Sequence, residues 1–419
     1  MSRYSTENVL TDYIDPVAFV PNKRCRFELD ANKLCYMPNM RLLDVGCTAD
    51  GQVAYNRGLG ALSIIKNIRL MDARTELSSL RTVAPYMFFK NSNHTNSENK
   101  SQKSWMRRNA LGLEIDSLNN KISNLWPTGY AEDVATGSDT AVLDLMKVFP
   151  ILTKVNCLPT SVFKNLSIEI EFEANAAQQI LTTTTANTIN IIRPVLAVDY
   201  ITNPSIVGPM TSQLISQGVR WLEIEHDNYV MPQVDTSGYQ NADSIRVANN
   251  NNSLGFVGKL VERLLVCKQI GNFNQEVTGG AVQGYSALAS SQALLNQSVQ
   301  IRLNGRNMLP GAQGLSGSNA TLAQMADTFG EFSVNPCANQ YKWDQQGNIN
   351  SATLLSGQQD WVGVMLGARV QNLQLEIARD TQKDSTSRQP TNSLLKVNLY
   401  AEVHKAVSFQ NGGYRIVYV

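Results

Sequence analysis

The chain has 419 residues, beyond the roughly 250 at which single hydrophobic cores stop growing, so its length predicts two domains of about 200 residues each. Charged residues make up 17% of the sequence and the formal net charge is +1, which excludes a global electrostatic field for nucleic acid or an anionic membrane. No apolar run approaches the length of a spanning helix, and the N-terminus lacks a basic region before an apolar core. We therefore expect synthesis in the cytosol, no membrane span and no specific nucleic-acid binding.

Cysteine and histidine positions give no sign of a metal or catalytic site. The six cysteines contain no CxxC pair, which argues against a zinc knuckle or a thioredoxin-type site. We expect them to be reduced and mostly buried thiols. The three histidines, His94, His226 and His404, lie far apart in the sequence. The sequence therefore predicts no metal site, no cofactor and no catalytic residue.

In chain order, the first part of the chain carries five predicted elements, four of them before residue 174. A predicted strand segment runs from Arg26 to Pro38, and a second short segment, Ile68-Arg69-Leu70, follows a short apolar run. We call these two segments the first and second marks. An amphipathic helix is predicted over 139–149, because polar residues suited to an N-cap stand at its start. Segment 166–173 alternates apolar and polar residues over eight positions, as a half-buried strand requires.

The alternation in 166–173 places Glu169, Glu171 and Glu173 on one face of that strand. Paired carboxylates could in principle serve acid-base chemistry. The period of two instead favours a solvated or inter-subunit acidic face. A further strand is predicted over 195–201, and a break is expected over 202–217, where Asn-Pro and Gly-Pro pairs punctuate the chain.

After the break, the marks recur in the same order. A helix is again predicted, over 321–329, and a closing strand over 397–403. Because loops diverge faster than the strands that they join, unequal offsets between such marks are expected in a duplicated protein. The order therefore predicts a tandem repeat. The first mark recurs as Arg220 to Pro232 and the second as Ile301-Arg302-Leu303. The third mark is Asn165 to Ile170, which recurs as Asn372 to Ile377.

One motif, Arg41 to Gly51, resembles the first motif of class I methyltransferases that bind S-adenosylmethionine. That family needs glycine at three alternating places, where the backbone approaches the cofactor. Gly46 fits the first place, but Thr48 and Asp50 occupy the other two. We favour a strand leading into a turn and keep the methyltransferase as an alternative.

Four basic residues around Trp105, between Lys100 and Arg108, are the nearest approach to a nucleic-acid patch. The patch is short and lies in a polar stretch, and no basic stripe continues it. A solvated loop or a subunit contact is therefore the favoured interpretation. Surface loops are predicted at 90–108, 235–252, 305–320 and 381–393.

Together, the repeated marks predict an all-β chain with two tandem antiparallel eight-stranded sandwiches and short helices in the loops. This pattern resembles the double jelly-roll major capsid proteins of the adenovirus-like, virophage and polinton-like virus lineage. The expected divisions are an N-terminal arm over 1–19, a first jelly roll over 20–205, a second over 206–407 and a C-terminal tail over 408–419.

The resemblance implies a structural protein and not an enzyme. It implies homotrimers with a pseudo-hexagonal outline that tile an icosahedral shell in the virion. The partners implied are neighbouring capsomers and, beyond them, penton and minor capsid proteins. A receptor- or carbohydrate-binding vertex protein is the second alternative. Aromatic and terminal residues are the candidate inter-subunit contacts: Tyr4, Tyr13, Trp105, Tyr414, Tyr418 and Val419.

Overall fold

The structure is a computed structural model of the chain. It describes residues 9–49, 53–54, 64–83, 86–87, 141–155, 157–173, 181–182, 189–231, 245–249, 256–270, 297–312, 314–316, 318–329, 361–379, 395–410 and 413–419. We call the part up to residue 201 the first half and the part from residue 219 the second half.

The first half forms two five-stranded antiparallel sheets and two small two-stranded ones. Its strands are β1 (Val9–Ile14), β2 (Ala18–Val20), β3 (Arg24–Glu28), β4 (Leu34–Val45), β5 (Cys47–Ala49), β6 (Val53–Ala54), β7 (Ile65–Asp72), β8 (Thr75–Arg81), β9 (Ala141–Asp144), β10 (Cys157–Pro159), β11 (Leu166–Phe172), β12 (Leu181–Thr182), β13 (Ile189–Ile191) and β14 (Val195–Ile201). One large sheet has the order β1-β14-β4-β10, with β9 also paired to β4, and the other has the order β2-β3-β11-β7-β8. The small sheets pair β12 with β6 and β13 with β5.

The second half forms two further five-stranded antiparallel sheets. Its strands are β15 (Val219–Met231), β16 (Ile245–Asn249), β17 (Leu260–Ile270), β18 (Gln297–Leu303), β19 (Arg306–Asn307), β20 (Leu315–Ser316), β21 (Trp361–Arg369), β22 (Leu373–Arg379), β23 (Leu395–Gln410) and β24 (Gly413–Tyr418). One sheet has the order β15-β23-β17-β21, with β24 paired to β23. The other has the order β16-β22-β18-β19, with β20 paired to β18.

Helices are few among the described residues. Helix α1 (Pro204–Gln217) lies between the halves and helix α2 (Ser318–Phe329) lies in the second half. Short 3-10 turns occupy Leu145–Lys147, Pro150–Thr153 and Thr160–Val162. The described part of the chain is therefore mostly β-sheet, as the sequence predicts. The finer count of eight strands in each sandwich stays a prediction.

Strand order is the same in the two halves. The order β1-β14-β4-β10 corresponds to β15-β23-β17-β21, and β3-β11-β7-β8 corresponds to β16-β22-β18-β19. Each half has a tight hairpin at the same place, between β7 and β8 and between β18 and β19. This shared topology is the structural basis of the repeat seen in the sequence.

The third mark of the repeat falls at equivalent positions. The Ala73 amide donates to the Asn165 carbonyl at 2.9 Å, and the Asn304 amide donates to the Asn372 carbonyl at 2.8 Å. These two bonds hold the same hairpin against the same loop. They make Asn165 and Asn372 equivalent.

The second mark lies on equivalent strands, β7 and β18, but its register is shifted. Leu70 faces Ile168, which is two residues past Leu166, whereas Leu303 faces Leu373, the equivalent of Leu166. The sequence match therefore pairs residues that lie two positions apart in the fold. A shift of two keeps every side chain on its own face, so the pattern survives it.

The first mark is not equivalent in the two halves, and that part of the repeat is wrong. Arg26 lies on β3 and faces Glu169 of β11, whereas Arg220 lies on β15 and faces Ala406 of β23. These strands hold different places in their sheets. A short alternating segment with one Arg and one Pro recurs easily in a β-rich chain, which explains the false match.

The predicted helix over 139–149 is also wrong in its described part. Residues 141–144 form strand β9, and two 3-10 turns follow. Leu143 pairs with Leu42, so β4 supplies the hydrogen bonds that an isolated helix would make internally. The prediction over 321–329 is confirmed by α2, and the predicted strands at 166–173, 195–201 and 397–403 are found in β11, β14 and β23.

Helix α1 occupies the segment that we predict as a break. The Asn203 side chain accepts the Ser205 amide at 3.0 Å, and Pro204 stands in the first turn, where its missing N–H costs nothing. Gly218 ends the helix with φ +65. Ile206, Val207 and Met210 pack on a small apolar cluster of Leu34, Cys157 and Ile201, on the first half.

Candidate functional site at the junction of the halves

Two edge strands meet where the halves join. Strand β8 is an edge strand of one sheet of the first half, and β15 is an edge strand of one sheet of the second half. The two strands contact each other. A sheet edge presents unpaired backbone N–H and C=O groups, which need partners when they are buried. Side chains of the second half supply those partners.

Glu223 on β15 is the central acid of this junction and is 2% exposed. Its Oε1 accepts the Ser78 hydroxyl and the Ser79 backbone amide, each at 3.0 Å. Its Oε2 accepts the Trp221 indole N–H. Burial raises the pKa of Glu223, while the charge of Lys405 and these hydrogen bonds oppose that rise.

Lys405 on β23 is the matching base and is 4% exposed. Its Nζ donates to the Leu77 carbonyl of β8 at 2.8 Å. The ammonium also lies 5.7 Å from the centroid of the Trp221 ring and 5.6 Å from that of the Tyr418 ring. Both distances suit a cation–π contact, which a desolvated ammonium strengthens.

Tyr400 on β23 completes the contact, because its hydroxyl donates to the Thr82 carbonyl at 2.7 Å. We call this set the edge clamp: Glu223, Tyr400 and Lys405 of the second half, bound to Leu77, Ser78, Ser79 and Thr82 of the first. One carboxylate, one ammonium and one phenol thus satisfy three backbone groups and one hydroxyl, along β8 and at Thr82 directly after it. The clamp fixes the two halves in one register.

Aromatic and apolar packing continues around the clamp. The Tyr86 and Tyr400 rings lie 5.3 Å apart, and the Phe163 and Tyr414 rings lie 5.4 Å apart. The largest buried apolar cluster includes side chains of both halves, among them Leu80 and Trp221. The halves therefore share this cluster, which we call the shared core, while a second buried cluster belongs to the second half alone. Packing thus helps to set their relative orientation, together with the hydrogen bonds.

The candidate inter-subunit residues are distributed unevenly. Tyr4 and Trp105 lie outside the described residues. Tyr13 is 65% exposed on β1, a strand that we assign to the N-terminal arm and that forms the edge of a sheet. Tyr414 packs on Phe163 and Phe409 of its own chain.

The C-terminal tail also pairs with its own chain, since β24 runs beside β23 and the Val419 amide donates to the His404 carbonyl at 3.1 Å. Tyr418 and Val419 remain about 40% exposed. Their contact with another subunit stays a prediction, as do the limits of the arm, jelly rolls and tail.

The acidic row on β11 faces a row of cations. Glu169 pairs with Arg69 at 3.0 Å, and Glu171 pairs with Lys66 at 2.7 Å. Burial alone would raise the pKa of Glu171, but hydrogen bonds from Lys66 and Asn67 outweigh it, and the pKa is lowered. This face is half-exposed and charge-balanced, which does not suit acid-base catalysis.

The segment that resembles a methyltransferase motif is strand throughout its described part. Residues 41–45 belong to β4, and Cys47–Ala49 form β5 directly after Gly46. A cofactor-binding turn would lead from the strand into a helix. The observed strand-to-strand path does not favour the methyltransferase alternative.

The described cysteines are buried: Cys25, Cys35, Cys47, Cys157 and Cys267. Burial raises the pKa of Cys25 to about 12 and that of Cys157 to about 11, so both are thiols at neutral pH. Within the described ranges, no group of three His, Cys, Asp or Glu side chains could hold a metal ion. No helix there is long and apolar enough to cross a membrane.

Sequence reasoning missed the edge clamp. Glu223 stands in the alternating segment 219–226, where a charged residue normally indicates a solvated face. Lys405 likewise follows an alternating strand. Only the fold places the first half over these two side chains, so no local signal distinguishes them from surface residues.

Comparison with known proteins gives a match in structure alone, because no family model and no curated protein matches the sequence. The chain is similar to a chain in the cryo-EM structure of the Sputnik virophage, with 12% identity and a TM-score of 0.58, over 100% of this chain and 90% of that one. It is also similar to PBCV-1 VP54 fitted into a Sputnik reconstruction, with 11% identity and a TM-score of 0.54, over 100% and 98%.

A third similar structure is a quasi-atomic model of the PBCV-1 virus capsid, with 10% identity and a TM-score of 0.51, over 100% of this chain and 98% of that one. These likenesses extend over the whole chain, so they cover both halves at once. The chain has the double jelly-roll fold of viral major capsid proteins, and the predicted resemblance is confirmed at the level of fold.

Proposed function

We propose that the chain is a viral major capsid protein that forms homotrimeric, pseudo-hexagonal capsomers tiling an icosahedral shell. The observation that supports it most is the similarity, over the whole of this chain, to a chain of the Sputnik virophage structure and to one of the PBCV-1 virus capsid. Such a protein acts through its contact surfaces.

The edge clamp has a clear role in this proposal. Three chains with two similar sandwiches each would present six similar units around one axis, and closed symmetry repeats the same contacts. A six-fold outline requires a fixed angle between the two sandwiches of each chain. The buried Glu223 and Lys405 contacts, together with the shared core, supply that fixed angle.

The proposal places the chain in the virion and makes it a structural protein. Its partners are two further copies in the capsomer, then neighbouring capsomers, and penton and minor capsid proteins where the lattice closes. The exposed edge strand β1 with Tyr13 and the exposed parts of Tyr418 and Val419 are the described candidates for these contacts.

Electron microscopy of the purified full-length protein tests the shape. We expect class averages with a three-fold axis and six lobes around it. The Glu223→Ala variant, which breaks the edge clamp, is expected to lose the uniform six-lobed outline, while Glu28→Ala on an exposed face of β3 keeps it. Particles with a single pair of lobes at every protein concentration would contradict the proposal.

A further inference from the structure

A cleft of about 290 Å³ lies beside strand β15. Leu222 and Ile224 line it, and because side chains alternate along a strand, they face away from Trp221 and Glu223 of the edge clamp. The cleft therefore lies on the opposite face of β15 from Trp221 and Glu223, whereas Tyr400 of the edge clamp packs on Tyr86 of the cleft. The opposite wall comes from the 3-10 turns of the first half, through Met146 and Pro150.

The floor of this cleft is apolar and buried, and its rim is open. Tyr86 and Met87 are 3% and 2% exposed, whereas Thr153 and Lys154 at the rim are exposed. Two methionines, Met87 and Met146, line the interior, and their flexible thioether chains adapt to ligands of different shape. Clefts between structural units with an apolar lining and a few polar groups are the usual form of small-molecule sites.

The charged residues of the lining are mostly positive. Lys147, Lys154 and Arg263 stand against a single carboxylate, Glu402. The Arg263 Nε donates to Glu402 at 2.6 Å, and the guanidinium carbon lies 5.4 Å from the centroid of the Phe329 ring. Arg263 is thus held in place by two contacts.

We propose that this cleft binds a small aliphatic carboxylate. The chain of the ligand would lie against Met87, Met146 and Ile224, and its carboxylate would bind the Nη groups of Arg263, near Lys154. A fixed arginine fork suits a carboxylate better than any uncharged head group. The volume of the cleft holds a chain of about eight carbons, at the lower end of the usual range for ligand sites.

Calorimetric titration of the full-length protein with octanoate tests the proposal. We expect saturable binding with one site per chain. Octylamine has the same chain and the opposite charge, so it is expected to bind at least tenfold more weakly. Absence of saturable binding by octanoate, or equal affinity for octylamine, would overturn the proposal.

Variants locate the site. Leu222→Trp fills the cleft without a change of charge and is expected to weaken octanoate binding at least tenfold. Its control, Ile215→Trp, adds the same ring on an exposed position of α1 and should bind as the wild type does. Unchanged affinity in Leu222→Trp would place octanoate elsewhere and refute the site.

Arg263→Gln is expected to weaken octanoate binding at least fivefold, because it removes the guanidinium group that would bind the carboxylate. Arg302→Gln is the matched control, since Arg302 also pairs with a glutamate, Glu376, at 2.9 Å, but does not line the cleft. If Arg263→Gln does not fold, the comparison of octanoate with octylamine and the Leu222→Trp variant still decide the question.

Discussion

Glu223 and Lys405 are charged groups in a buried junction, and both are fully engaged there. Taking two such charges out of water costs several kcal/mol, which the hydrogen bonds to β8 and the attraction between the charges must offset. Such a pair adds little net stability compared with apolar residues. Any arrangement that leaves either charge without its partner is strongly destabilised, however, so the pair favours one relative placement of the halves.

Removal of the Glu223 carboxylate leaves the Ser79 amide without its acceptor and Lys405 without its counter-charge. We expect Glu223→Ala to lower the free energy of unfolding by about 3 kcal/mol. Glu28→Ala, on an exposed ion pair with Arg26, should change it by less than about 0.5 kcal/mol. Urea unfolding followed by tryptophan fluorescence measures both. Equal effects of the two substitutions would show that the edge clamp does not contribute to the free energy of unfolding.

The raised pKa of Glu223 predicts the direction in which the stability of the protein changes with pH. An acid whose pKa is higher in the folded state contributes stability below its unfolded pKa, about 4.3 for Glu, and loses it as pH rises through the folded pKa. Glu223→Gln cannot ionise. The stability of the wild type relative to Glu223→Gln should therefore fall as pH rises from about 4. A difference that stays flat or grows with pH would contradict the raised pKa.

Among the elements, strands with strict alternation could be predicted from the sequence because one face of each packs on a core and the other meets water. β11 lies at its predicted position for this reason, whereas β14, which also lies where it is predicted, is buried on both faces. Helix α1 is missed because Pro209, in the interior of the segment, normally ends or kinks a helix, although Ile206, Val207 and Met210 are spaced to form one apolar face. Its stability comes from the Asn203 cap and from packing on the first half, which only the tertiary structure shows.

The junction itself was beyond sequence prediction, since Glu223 and β8 are 144 residues apart at the Ser79 contact. The false match at the first mark has a related cause. Arg26 and Arg220 both stand in alternating strands, and alternation reports which face of a strand is buried and not which place the strand takes in its sheet.

Helix α2 packs closely on β21 at a glycine. A Cβ added to Gly363 would lie 2.7 Å from Phe329 Cε2 and 3.0 Å from Met325 Sδ. Gly363→Ala is therefore expected to destabilise the protein by about 1–3 kcal/mol through overpacking. Gly208→Ala in α1 meets no atom within 4 Å beyond its chain neighbours, but Pro209 follows it, so a clash of the new Cβ with the proline ring opposes the gain in helix propensity. We expect its effect to stay within about 1 kcal/mol of zero. Thermal unfolding measures both variants, and a neutral Gly363→Ala would show that α2 moves freely away from β21.

For the whole molecule, two sandwiches in one chain matter because they can occupy six similar places when three chains assemble. Full-length similarity to capsid chains establishes the fold at 10–12% identity, and the assembly is the proposal built on it. The shared core and the edge clamp indicate that the two sandwiches move as one unit, so assembly would join preformed chains and not loose domains.

The mass of the purified full-length protein in solution tests this account most directly. Light scattering coupled to size-exclusion chromatography should give a stable species at three times 46.2 kDa. A species that stays at 46.2 kDa at every concentration, under conditions where the chain is folded, would contradict the capsomer.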